Sequence, residues 1–152
     1  MTKNDKNLTP IYLYSILVLD VSAKLEEKNK RMSSELRRIL TELKRITKGN
    51  LEIIDIYDNE IIIRAELSDN QFEKLKDWLR SNKYDVLGAV NQVIHYVAHD
   101  EDYVTEIYRK IDNNGDYTDN LLVIDYYHVI SNDKSHDKEY YILKKIYFEG
   151  GK

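Results

Sequence analysis

The sequence predicts an α+β domain with a ferredoxin-like βαββα core, and three patterns carry that expectation. An unbroken β-branched and aromatic run, IYLYSILVLDV from Ile11, precedes a long stretch of helical apolar spacing. Two apolar runs then flank the turn Tyr57-Asp58-Asn59-Glu60. A second helical stretch follows the capping sequence Ser68-Asp69-Asn70-Gln71. The order strand, helix, strand, strand, helix is most of a ferredoxin-like βαββαβ unit. Residues 1–9 read as a flexible tail and 10–152 as a single domain. That domain would add one or two further helices and a C-terminal β-hairpin to the core.

The run from Ile11 has the continuous apolar character of a strand buried on both faces. From about Ser22 to Lys48, Leu25, Met32, Leu36, Ile39, Leu40, Leu43 and Ile46 fall on one helical face, and Lys48-Gly49-Asn50 supplies a stop. Leu51 to Leu67 reads as a tight hairpin. The helix launched at Ser68 turns Phe72, Leu75 and Leu79 inward. Residues 85–98 carry two signals. Val86, Val90, Val93 and Val97 keep helical spacing, whereas VIHYVA alternates as a strand does, and the longer helical match decides for a helix. Asp100 would cap a short helix bearing Val104, Ile107 and Ile111. After the turn Asn113-Asn114-Gly115-Asp116, LLVIDYYHVI and EYYILKKIYF form the C-terminal hairpin.

A length of 152 residues with 42% hydrophobic content suits one core. The absence of Cys removes disulfide frameworks, thiolate zinc sites and cysteine nucleophiles. No run of eighteen apolar residues occurs and the polar start lacks an apolar signal core, so the expectation is a soluble, cytoplasmic protein without membrane contact. Thirteen Tyr, one Pro and frequent Ile, Lys and Asn reflect AT-rich codons, the usage of a low-GC bacterium or of its phages and mobile elements.

Charge is unevenly placed. Lys24 to Lys48 holds nine basic and four acidic residues, a local +5 that leaves −9 on the rest of a chain whose total is −4. Lys30, Arg31, Arg37, Arg38, Lys44 and Arg45 lie opposite the apolar stripe of the helix. They form either a solvated back or a ridge about 20 Å long for an acidic protein surface. Nucleic acid is a third possibility for the basic helix, residues 24–48. It is disfavoured by overall acidity and by the lack of aromatic residues among the basic ones.

Asp20 ends the first strand in LVLD, and Asp58 sits at the hairpin tip in YDNE with Asp55 close behind. In a ferredoxin-like sheet the first strand lies beside the hairpin, so the two carboxylates would approach and hold Mg²⁺ for phosphate chemistry. This pair resembles the palm of nucleotide cyclases, in which an Asp ends the first strand and a glycine-rich hairpin turn supplies a second acid. Here Tyr57 and Asn59 stand where that family has glycine. The resemblance implies a metal-dependent nucleotide enzyme as the alternative function.

His95 and His99 have the i, i+4 spacing of metal ligands on a helix, but Tyr96 replaces the metalloprotease Glu, and a third ligand would come from afar, such as His128. Asp112 to Asp119 lacks the Gly and Glu positions of a calcium loop and reads as a turn. Tyr126, Tyr127, Tyr140 and Tyr141 crowd the C-terminal hairpin, half facing inward and half outward. Outward Tyr is good contact surface, and an exposed hairpin edge is a route to a homodimer. The leading expectation is therefore a small protein-binding, regulatory or inhibitory module. It leans away from catalysis and needs no cofactor.

Overall fold

The computed structural model describes residues 32–131 and 139–150. They form two helices and one six-stranded antiparallel sheet, an α+β architecture. The elements are α1 (Ser34–Thr47), β1 (Glu52–Ile56), β2 (Glu60–Ser68), α2 (Asp69–Ser81), β3 (Tyr84–His95), β4 (His99–Ile111), β5 (Tyr117–Ser131) and β6 (Glu139–Glu149). Across the sheet the order is β1-β2-β6-β5-β4-β3.

Local chemistry sets the helix ends. Ser33 caps α1 by accepting from the Leu36 N–H, and Lys48 closes it in the left-handed region with φ 56°. Ser68 and Gln71 form the expected capping box on α2. The Gln71 side chain also donates to the Ile46 carbonyl at 3.2 Å, tying the start of α2 to the end of α1. Leu36, Ile39, Leu40, Leu43 and Ile46 on α1 are buried, as are Phe72, Leu75 and Leu79 on α2. They pack with one face of the sheet, including Ile61, Ile63 and Leu67 of β2, Leu143 and Ile146 of β6, and Leu122 and Ile124 of β5. At about 1.5–3 kcal/mol per fully buried large apolar side chain, this layer is the main stabilising element.

The hairpin around Tyr57 forms as expected, with the Tyr57 N–H donating to the Glu60 carbonyl at 2.8 Å. The strand from Ile11, the tail 1–9 and the first part of the long helix lie outside the described residues. The sheet order does not confirm the ferredoxin-like core. That fold places its first strand next to the second hairpin strand, and here β6 holds that position beside β2.

Two further expectations are corrected. Residues 85–98 are not a helix; most of them form β3 and the turn that follows it. The short helix proposed beyond Asp100 is also a strand, β4, so the described residues contain no helix beyond α1 and α2. The C-terminal hairpin is present as β5 and β6, but both strands are interior to the sheet, so it offers no edge for a dimer.

Strand and helix lengths explain what is left uncovered. The helices have 14 and 13 residues and span about 20 Å at 1.5 Å per residue. β3, β4 and β5 have 12, 13 and 15 residues and run about 40–50 Å at 3.3 Å per residue. Among the described residues the sheet therefore outruns its helical layer, and the ends of β3 and β4 extend beyond it as an arm.

Candidate functional site

The arm is the most exposed structured part of the described residues. Tyr84 at the start of β3 is buried and contacts the α2 end of the core, but from Leu87 to His95 every residue of β3 is exposed. Val90 is 70% exposed, and Val97 at the hairpin tip is fully so. Val86, Leu87, Val93, Ile94 and Tyr96 are exposed as well. β4 covers one side of β3 in continuous register from Tyr84 opposite Lys110 to His95 opposite Asp100, with a bulge between Val86 and Gly88. Among the described residues no strand pairs with the other side of β3. A bare edge presents alternate N–H and C=O groups ready to pair with another extended chain.

The opposite edge is protected. β1 has five residues, carries Glu52 and Asp55, and is interrupted by a bulge between Ile53 and Asp55. Short length, charge and bulges are how sheets prevent edge pairing. The stretch from Gly88 to Ile94 holds neither charge nor proline, and the bulge of β3 lies only at its base end, between Val86 and Gly88.

Beneath the arm lies a buried polar cluster. Glu106 on β4 faces the helices, where its carboxylate accepts from the hydroxyls of Tyr108 and Tyr126 and has the Lys76 ammonium at 3.7 Å. Burial, and then the hydrogen bond to Glu106, push both phenols well above the usual tyrosine range, so both stay protonated donors. Phe72 stacks on Tyr141 at 3.9 Å beside them, and His128 stacks on the far side of Tyr141 at 4.5 Å. Farther along, Glu35 of α1 meets Lys110 of β4 at 2.7 Å. Burial opposes the charge of Glu35, but Lys110 and Arg38 outweigh it and hold the carboxyl below its ordinary value.

The sequence-derived candidates are dispersed. Asp20, Lys30 and Arg31 lie outside the described residues. Arg37, Arg38, Lys44 and Arg45 are on α1. Arg38 is bound by Glu35 and Asn82 and lies 5.7 Å over the Trp78 ring, and Arg45 is bound by Glu42. Acidic neighbours thus offset part of the basic ridge. Asp58 is exposed in the β1–β2 turn, and its carbonyl accepts from the Ser33 N–H.

His95 and His99 do not share a helix face. They end β3 and begin β4 on either side of the tip, bound to Asp100 at 2.9 Å and Glu101 at 3.3 Å. Among the described residues no group of three His, Cys, Asp or Glu is placed to hold a metal ion. Tyr126 and Tyr141 are buried against α2, whereas Tyr127 and Tyr140 are half-buried. Asp112 accepts from the N–H groups of Asn114 and Asp116, which makes 112–116 the expected polar turn.

Comparison of the chain with protein-family models, curated proteins and solved structures returned no match. No helix of the described residues is long and apolar enough to cross a membrane. The arm was missed from sequence, although a signal for it existed. No Lys or Arg occurs between Lys83 and Arg109, and 86–98 is rich in β-branched residues.

Proposed function

We propose that this chain is a small protein-binding module that docks an extended polypeptide along β3 by strand addition. The observation that carries this reading is the bare edge itself. A long strand with an exposed apolar surface and no guarding charge is poorly suited to remain unpaired in water. In strand addition, main-chain hydrogen bonds supply affinity and side chains on alternate faces supply selectivity. On this reading Val90 and Ile94 contact the partner on one face of the sheet, and Asn91 and Val93 on the other. The basic residues of α1 play a secondary part, because acidic neighbours partly neutralise them.

A photo-crosslinking side chain placed at Val90, with Ile54 on the opposite edge as control, tests the reading in cells producing the protein. Adducts at Val90 that map to one extended polypeptide segment, and none above background at Ile54, are expected. Equal labelling at both edges would refute the proposal.

A further inference from the structure

Building on the docking-edge reading, we infer that the polypeptide pairing with β3 is β3 of a second copy, arranged antiparallel about a two-fold axis near Val90. Three observations favour this occupant. First, the edge suits itself. From Val86 to Ile94 it carries no ionisable side chain, so two copies pair without repulsion between like charges directly opposite one another.

Second, negative charge on the arm is concentrated at its tip. Asp100, Glu101 and Asp102 cluster near the tip, whereas the base mixes both signs, with Lys76, Arg80, Lys83, Arg109 and Lys110 among Asp77, Asp85, Glu106, Asp112 and Asp116. Antiparallel pairing lays each acidic tip beside the other copy's mixed-charge base, within reach of Arg80 and Lys83, and a two-fold axis makes that match twice. Parallel pairing would set acidic tip against acidic tip.

Third, the base has a receptacle. A cavity of about 150 Å³ there is lined by Lys76, Arg80, Tyr84, Asp85, Val86 and Tyr108. With the axis at Val90, the projecting Tyr96 and Val97 of one copy arrive at the level of Tyr84 on the other. The product is one twelve-stranded sheet with all four helices on the same face.

Sedimentation velocity of the purified protein tests this inference. A species of twice the 18.1 kDa chain mass is expected. Val90→Lys places two ammonium groups together at the axis and should weaken self-association by about tenfold or more. Ile54→Lys on the opposite edge should leave it unchanged. Reversing the tip charges (Asp100→Lys with Glu101→Lys) should also weaken the dimer, and adding Arg80→Glu with Lys83→Glu to the same chain should restore it. Val93→Lys repeats the test if Val90→Lys lowers the melting temperature.

A chain that stays monomeric at every concentration, or a dimer indifferent to Val90→Lys and Val93→Lys, overturns the inference. If the chain is monomeric but Val90 crosslinks to a foreign extended segment, the second copy is wrong and the docking edge stands. If it is monomeric and Val90 crosslinks to nothing, both are wrong.

Discussion

Replacing Tyr126 by Phe removes one hydroxyl from the Glu106 cluster while leaving the ring packed on Phe72. The lost interaction is a buried hydrogen bond to a carboxylate, for which the net contribution is about 1.5–3 kcal/mol. Glu106 keeps the Tyr108 hydroxyl and Lys76, so the lower half of that range is expected. A loss of about 2 kcal/mol lowers the melting temperature of a chain this size by roughly 4–8 °C. Removing both hydroxyls in Tyr108→Phe with Tyr126→Phe leaves Lys76 at 3.7 Å as the remaining partner of the carboxylate in the cluster. The pair should therefore lose more than the two single variants added together.

Urea unfolding at neutral pH measures these changes, read as a lower midpoint at constant slope. The same bond makes an alkaline prediction. In the folded chain the Tyr108 and Tyr126 phenols are raised above their ordinary value of 10.0 and keep their protons, whereas in the unfolded chain they ionise near 10. The stability they confer is thus intact below pH 10 and falls as pH rises above it. Tyr126→Phe should flatten that decline. A variant within about 0.5 kcal/mol of wild type, with the same alkaline slope, would refute the account of the cluster.

Three further outcomes follow from other contacts. Glu35→Gln should remove part of the acid sensitivity. Its folded carboxyl is held below the ordinary 4.5, so the stability it lends is present above that value and disappears as pH falls beneath it, measurable by thermal melts across the acid range. Phe72→Ala deletes a ring stacked on Tyr141 and tilted against Tyr126, and should cost about 3–5 kcal/mol in chemical denaturation. Ser68→Ala breaks the capping box of α2 and should cost about 1 kcal/mol by the same measurement, with hydrogen exchange quickening in the first turn of that helix.

Where a side chain is buried, its spacing in the sequence was informative. The stripe on α1, the capping box of α2 and the β1–β2 hairpin were all legible because each couples a local pattern to one covered face. β3 was misread because almost nothing on it is covered. Hydrophobic periodicity reports burial, and a strand exposed on both faces has none to report, so the chance spacing of Val86, Val90, Val93 and Val97 passed for a helix. On β4 a different effect concealed the strand. Its inward positions are Val104, Glu106 and Tyr108, and a carboxylate in the middle breaks the apolar alternation that marks a half-buried strand. The β5–β6 pair was evident, but the place of those strands within the sheet depends on the distant partner β2, which no local pattern encodes.

The position of β6 has a consequence for how the chain folds. Its two neighbours are β2 on one side and β5 on the other, so the β1–β2 hairpin and the β3-β4-β5 meander have no strand pairing between them until β6 inserts. The tie is long-range, and even the Tyr141 to Asp69 side-chain contact at its rim links positions 72 residues apart. Sheets closed by such distant pairings fold slowly, in milliseconds to seconds, because the loop entropy is lost before the pairing rewards it. During synthesis β2 and β5 wait as open edges until residues 139–149 have left the ribosome. Over that interval the described strands display three unguarded edges in place of one, and encounters between neighbouring nascent chains are most consequential then.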